Sequence, residues 1–527
     1  MLNFCVILAI RYKNVTKMKL VNSAVSLYFR SRYYRIERFI NQPIETQRQV
    51  FKSLIQDAKH TQWGKQYQYN SIKNEKDFAK QVPVGDYESH KAYINQMMHG
   101  EADVLWPGKI EWYSKSSGTT NDKSKYLPVS NSAVKETHMR GPRDTLTIYH
   151  NNYDNANLFD GESIVLSGSY NEFPPFPKTK FGDVSAIMVA NMPLFFRRFY
   201  KPTMDIALIP EWEKKLDMTA RQAIGKNITS IGGVPTWNLV LFRRILEITG
   251  KQNILEVWPN FELYIHGGVN FEPYKTQFKE LLPSSNVRYQ ETYNASEGYF
   301  ASQLLPDDDD MLLLLDNGIY YEFIPMDAWT AGDMSKSVNL SGVEKGVNYT
   351  MLISTNSGLW RYECGDTVEF TSTFPFKIKI TGRNKHFINA FGEEVMVGNT
   401  DKAIAMTCQT LNTTVEDYTV APIYISGIED DDKNKGGHEW IIEFSKAPEN
   451  IEKFANLLDK NLQSINSDYE AKRFKGMALN RLKINVAPPK TFINWMRSRG
   501  KFGGQNKVPR LSNNRKNVEA ILTFMQK

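Results

Sequence analysis

The chain has 527 residues, 41% of them hydrophobic and 23% charged, with Lys and Arg exceeding Asp and Glu by 7. This composition excludes disordered, collagen-like and disulfide-scaffold classes, and the length predicts two to four domains with ample core. The mild positive balance is too small to argue for nucleic acid on its own. Three scattered cysteines, Cys5, Cys364 and Cys408, form no C-x-x-C pair and fit a reducing compartment.

Residues 1–10 are apolar apart from Asn3, and Arg11, Lys13 and Lys17 follow them. A secretory signal has the reverse order, and ten residues fall short of the ~20 that a membrane helix needs. We therefore expect a cytoplasmic protein without membrane association, with 1–17 as a start-site extension ahead of Met18. From 21 to 65 the apolar positions Tyr28, Tyr33, Ile36 and Ile40, then Val50, Leu54, Ile55 and Ala58, follow a helical period. Pro43 divides that pattern into two helices.

Between 111 and 340 short apolar runs (163–166, 228–230, 262–265, 287–289) alternate with helical stretches such as 236–248. Strands alternating with helices predict an α/β layered fold with a mostly parallel sheet. From 318 to 380 the runs 319–324, 349–354, 367–372 and 376–380 are separated by Gly and Asn turns, which predicts an appended antiparallel sheet or small barrel. After Gly392 a smaller α+β segment follows: helix, strand, acidic loop at 429–432, strand at 439–444, and helix from 450. The acidic loop reads as a solvated hairpin tip in preference to a cation site. Residues 471–527 hold 14 Lys and Arg against Glu519 alone, a net +13, so the rest of the chain carries −6. A basic terminal module beside an acidic body suits a polyanion, nucleic acid or nucleotide triphosphate, although a merely solvated basic face is the plainer reading.

The chain contains no G-x-x-x-x-G-K-[ST], G-x-G-x-x-G, H-E-x-x-H or G-x-S-x-G motif, which sets aside P-loop NTPases, Rossmann dehydrogenases, zincins and α/β-hydrolases. Four clusters remain. Ser116, Ser117, Gly118, Thr119 and Thr120, followed by Lys125, offer backbone and hydroxyl donors with little bulk, as a phosphate cradle requires; an ordinary turn would look the same. Tyr293, Asn294, Ala295, Ser296 and Glu297 follow a predicted strand, where open α/β sheets bind ligands. Glu297 has the chemistry of a Mg²⁺ ligand there, or of a residue in a strand-to-helix cap. Upstream, Gly267 and Gly268 permit close approach of a flat base. Gly365-Asp366 and Gly382-Arg383 combine a carboxylate able to accept two ribose hydroxyls with a cation for a hydroxyl or phosphate; alone they read as structural turns. Lys507 stands in a glycine-flanked segment that suits closure over an anion or a plain surface turn.

Taken in order, 116–125, 293–297, 361–366, 381–392 and 504–510 resemble the acyl-adenylate-forming superfamily, and within it the Gretchen Hagen 3 family of acyl-acid amido synthetases, in particular its bacterial members. The resemblance runs from about Met18 to the C-terminus. It implies a large N-terminal domain of α/β sheets plus a β-barrel (18–384), a hinge near Asn384 and Lys385, and a small α+β C-terminal lid (385–527). It implies ATP and Mg²⁺, with Ser116, Ser117, Gly118, Thr119, Thr120 and Lys125 at the phosphates. Gly268, Tyr293, Asn294, Ala295 and Ser296 would line the adenine pocket, Asp366 and Arg383 the ribose side, and Glu297 the metal. Lys507 would be the mobile-domain lysine, catalytic together with Glu297. The implied reaction adenylates a carboxylic acid, releases pyrophosphate and passes the acyl group to an amine, usually an amino acid, in a monomeric enzyme without nucleic acid. The alternatives are an acyl-CoA or carrier-thiol ligase and a non-catalytic nucleotide- or nucleic-acid-binding protein. Two departures stand out: Tyr-Asn-Ala-Ser-Glu replaces the Tyr-x-Ser-Ser-Glu of many plant members, and Cys364 occupies a position usually hydrophobic or arginine-like. Tyr170, Phe195, Phe196 and Trp237 read as acyl-pocket lining or core, with core preferred.

Overall fold

The structure, a computed structural model, describes residues 16–117, 124–174, 176–269, 271, 274–383, 387–424, 436–474, 479–499 and 509–526. Its first helices are Thr16–Asn41 and Pro43–Ala58. Proline begins the second because the first helical position needs no N–H. That helix buries Leu54, Ile55 and Ala58 as the spacing predicts, with Phe51 in place of the partly buried Val50.

The strands, in chain order, begin with β1 (Trp112–Ser117), β2 (Ser124–Val129), β3 (Glu162–Val165), β4 (Tyr170–Phe173), β5 (Phe176–Gly182) and β6 (Tyr200–Lys201). β7 (Ile228–Gly232), β8 (Leu263–Gly267), β9 (Arg288–Ala295), β10 (Gly298–Ser302) and β11 (Met311–Leu313) follow. Then come β12 (Ile319–Pro325), β13 (Asn348–Thr355), β14 (Tyr362–Thr373) and β15 (Phe376–Arg383). The main sheet has the order β12-β13-β14-β15-β11-β10-β9-β8-β7-β3-β6. Strands β3, β6, β7, β8 and β9 are parallel neighbours. Of these, β7 is the most fully buried, with Ile228, Thr229, Ser230 and Ile231 all inside. The strands from β10 to β15 pair antiparallel. Of the two forms the sequence allows for 318–380, the structure takes the open antiparallel sheet, continuous with the parallel strands through β9, β10 and β11, and the hydrogen-bonded order does not close into a barrel among the described residues.

The chain divides into two compact units. The larger runs up to Lys115 and takes in 126–268 and 275–384; the smaller takes in 116–125, 269–274 and 385–527. The smaller unit holds the short pair β16 (Phe387–Ile388) and β17 (Val395–Met396), then a sheet of β18 (Thr414–Ile423), β19 (Gly437–Lys446) and β20 (Lys483–Ala487). Helix Ile451–Ile465 is capped by Asn450, which accepts from Lys453 N, and buries Phe454, Leu458 and Leu462. The acidic segment 429–432 lies outside the described residues. Among the described residues no helix is long and apolar enough to cross a membrane.

Part of the basic charge after 471 is neutralised inside this unit. Arg473 pairs with Asp459 at 2.8 Å, Arg481 with Glu452 at 2.5 Å and Arg510 with Asp401 at 2.8 Å. Lys483 and Arg515 converge on Glu439 at 2.8 and 2.6 Å. Burial pushes the Glu439 carboxyl up, but hydrogen bonds from Lys483, Arg515 and Asn485 outweigh burial and hold it at about 2, below its usual 4.5. A depressed folded-state pKa contributes stability that is complete above the unfolded value and lost as pH falls through the folded one. Glu439→Gln is therefore expected to lower the melting temperature of this unit at pH 7, with the deficit shrinking from pH 4.5 towards pH 2. Thermal melts followed by circular dichroism across that range check it.

Candidate active site

The parallel strands β8 and β9 end side by side, with His266 opposite Glu291 and Gly267 opposite Thr292. A Cβ on Gly267 would lie 2.4 Å from the Thr292 carbonyl oxygen, so only glycine permits this approach. Gly268 follows with φ +82°, in the left-handed region that glycine enters without penalty. His266 is buried, and burial, with the Lys275 charge acting in the same direction, pushes its pKa down to about 3. It is therefore neutral at physiological pH and supplies no cation for an anionic ligand.

β9 runs on to Ala295 and returns as β10, with Gly298 opposite Ala295 and Tyr299 opposite Asn294. Ser296 and Glu297 form the two-residue turn of this hairpin. The strand-to-helix cap that Ser-Glu-Gly suggests does not form, because Gly298, Tyr299 and Phe300 continue as a buried strand. Glu297 is half-buried at the hairpin tip. The buried Tyr362 hydroxyl has its pKa pushed well above the usual tyrosine range, first by burial and then by Glu297, Cys364, Glu363 and Asp86, so these groups share one neighbourhood.

Asp366 reaches the same neighbourhood from β14. Leu352 of β13 faces Glu363 while Thr350 faces Thr367, so residues 364–366 bulge away from the β13 register. Gly365 allows this at φ +89°, and bulges of this kind re-aim the side chain that follows. The Tyr293 hydroxyl donates to Asp366 Oδ2 at 2.6 Å. Tyr293 is itself buried and packs on Phe300 with ring centroids 4.8 Å apart. On its other side Asp366 pairs in register with Arg383 of β15.

The entry to β14 is clamped. Arg361, at φ +42°, forms a buried ion pair with Glu322 at 3.0 Å. It donates further to the Ala79 and Val82 carbonyls at 2.9 Å and to Ser337 Oγ at 2.6 Å. Gly85 N donates to Arg361 O, and Glu363 N donates to Gly85 O. Trp360 Nε1 donates to Leu105 O, and Trp360 N to the Nε2 of His90, a ring that burial holds neutral by lowering its pKa to about 4. Arg361 therefore holds the backbone that carries Asp366. Removing one member of a buried ion pair leaves the other uncompensated and costs ~3–5 kcal/mol. Glu322→Ala is expected to destabilise the larger unit by about that amount in urea unfolding, and Glu322→Leu with Arg361→Met to recover most of the loss.

The structure thus gathers Tyr293, Asp366, Glu297, Gly268 and the Arg383 backbone within the larger unit, with Asn294, Ala295 and Ser296 on the hairpin between. Ser116 and Ser117 end β1, and Lys125 lies in β2. Gly118, Thr119, Thr120 and Lys507 lie outside the described residues. Sequence reasoning missed the Arg361–Glu322 clamp; its one signal was a glutamate within the apolar run of β12, since a buried charge demands a partner. Tyr170, Phe195, Phe196 and Trp237, read as core, are all partly exposed.

The larger unit thus joins a parallel sheet, whose β8 ends at Gly267 and whose β9 leads into the hairpin carrying Glu297, to an antiparallel half. The chain superposes on the GH3.15 acyl acid amido synthetase with TM-score 0.56 at 17% identity, over 93% of this chain and 94% of that one. It superposes equally, TM-score 0.56 at 13% identity, on a 2-hydroxyisobutyryl-CoA ligase, over 90% and 91%. Residues 32–287 match the GH3 family N-terminal domain, 312–383 its central domain and 398–516 its C-terminal domain. The chain belongs to the GH3 family. Among its relatives, indole-3-acetic acid-amido synthetase GH3.4 of Arabidopsis thaliana is 22% identical over 558 residues, covering 90% of both chains. The 4-substituted benzoates-glutamate ligase GH3.12 of the same plant is 22% identical over 524 residues, 85% of this chain and 89% of its own.

Proposed function

We propose that this protein is an ATP-dependent acyl-acid amido synthetase that joins a carboxylic acid to an amine, an amino acid in the first instance. The observation that carries the reading is the Tyr293–Asp366 hydrogen bond beside the glycine-ended β8, in a chain of GH3 ancestry. Asp366, held by Tyr293 on one side, accepts the ribose hydroxyls of ATP. The flat space beside Gly268 and the 293–296 segment takes the base. Glu297 is suited to Mg²⁺, which needs only one or two carboxylates beside phosphate oxygens and supplies neutralisation of the pyrophosphate charge.

In the first half-reaction a carboxylate oxygen attacks the α-phosphorus in line, forming the acyl-adenylate as the bond to pyrophosphate breaks. The 116–120 donors, Lys125 and Lys507 then stabilise charge on the departing group. In the second, the amine nitrogen attacks the acyl carbon, AMP leaves with the bonding pair, and the nitrogen loses a proton to give the amide. A hydrolysable intermediate calls for exclusion of water, the role we assign to the smaller unit as a lid. Incubation with ATP, pooled acids, pooled amino acids and coenzyme A, with products identified by mass spectrometry, tests the reading. An amide together with AMP and pyrophosphate supports it; a thioester alone would move the protein to the thiol ligases.

A further inference from the structure

One cavity in the larger unit that neither the nucleotide nor the metal assignment uses has a volume of about 290 Å³ and lies where β3 and β6 end. Its walls include Val165, Val189, Met192, Pro202, Met204 and Ala207. Three cations also border it, but their heads are engaged elsewhere. Arg197 donates to the Met192 and Ala190 carbonyls at 2.8 and 3.0 Å. Lys201 pairs with Glu162 at 2.8 Å, and Arg198 lies over the Phe195 and Phe199 rings. With these heads held by partners, and with Tyr200 and Thr203 completing the lining, the walls of the cavity are largely apolar. The surroundings are fixed: Lys215 Nζ donates to the Ser167 and Gly168 carbonyls at 2.8 Å, and Ser167 Oγ donates to Ala207 O. An apolar cavity of this size, rigidly framed, favours an uncharged hydrocarbon group.

Its place relative to the site follows from the sheet. β3 is two strands from β8, and hydrogen-bonded strands are about 4.8 Å apart, so the cavity lies roughly 10 Å along the same carboxyl edge from Gly268. Between them β7 ends at Gly232, where an added Cβ would meet nothing closer than 4.0 Å, leaving the edge open. We propose that the cavity receives the far end of the acyl substrate, and that this substrate is an unbranched aliphatic carboxylic acid whose chain passes over Gly232 into the space walled by Met192 and Met204. The inference rests on the adenylation reading for the carboxylate end alone. Methionines suit a flexible chain because their thioethers repack around it.

The test is a series of straight-chain acids from butyrate to dodecanoate, with KM for the acid read from ATP–pyrophosphate exchange, beside calorimetric binding of decanoate without ATP. Each methylene that enters the cavity should lower KM about three- to fourfold. Met204 is half-buried, so Met204→Trp should fill the cavity without loss of the fold. It should raise KM for decanoate tenfold or more and leave butyrate unchanged, while Met204→Ala should shift the preference to longer acids. Decanoate binding should weaken in parallel in Met204→Trp. A KM independent of chain length, or decanoate binding that is absent or equal in wild type and Met204→Trp, overturns the proposal. Exchange absent with every acid, while decanoate binds and Met204→Trp weakens it, would remove the adenylation reading and leave the cavity assignment standing.

Discussion

Asp366→Ala is expected to weaken ATP binding about 10- to 150-fold, the loss of ~1.5–3 kcal/mol that a charge-assisted hydrogen bond contributes. The magnitude follows from geometry. The Tyr293 hydroxyl occupies one lone pair of Asp366 Oδ2 at 2.6 Å and turns the carboxylate on the bulge at 364–366. Tyr293→Phe removes only the orienting bond and should cost less, a few-fold in the ATP dissociation constant. Isothermal titration with ATP on both variants separates the two effects. An unchanged constant in Asp366→Ala would remove the ribose assignment, and equal losses in both variants would make the Tyr293 hydroxyl, beyond its ring in the base pocket, a direct ligand of the nucleotide.

Lys507→Ala is expected to lower the adenylation rate about 10²- to 10³-fold, the loss seen when one preorganised donor to a developing charge is removed. Of the basic residues after 471, Arg473, Arg481, Lys483, Arg510 and Arg515 already hold carboxylates within the smaller unit. These pairs account for five of the 14 basic residues after 471 within the smaller unit itself. Single-turnover formation of the adenylate is the readout, and a melting temperature equal to the wild type's shows that the loss is one of chemistry. Wild-type kinetics would take Lys507 out of the site.

Sequence legibility followed the range of the interactions. Short strand-like runs alternating with helical stretches, such as 228–230 ahead of 236–248, read as strands of a mostly parallel sheet because that alternation is local in the chain. Pro43 and Asn450 marked helix starts for local reasons, a missing N–H and a side-chain cap. The Ser296-Glu297 turn was ambiguous, since the same residues cap a helix or close a hairpin; what decided it was the pairing of Tyr299 with Asn294, a tertiary fact. The Gly365-Asp366 pair was visible, but not the three-residue bulge that aims it, which depends on the register against β13. Least legible was Arg361, whose partners Ala79, Val82 and Glu322 lie far from it in the chain. Of the aromatics read as core, Phe195 packs against a buried cluster, while Phe196 and Trp237 are only partly buried.

The most direct test of the central claim is exchange of radiolabelled pyrophosphate into ATP, with Mg²⁺ and a carboxylic acid but no amine or thiol acceptor. If the acyl-adenylate forms as a discrete intermediate, exchange should depend on the acid, proceed without acceptor and fall sharply in Asp366→Ala and Lys507→Ala. Folded, ATP-binding protein that gives no exchange across aryl, indolyl, aliphatic and amino acids, or that exchanges only once an acceptor is added, would contradict the account.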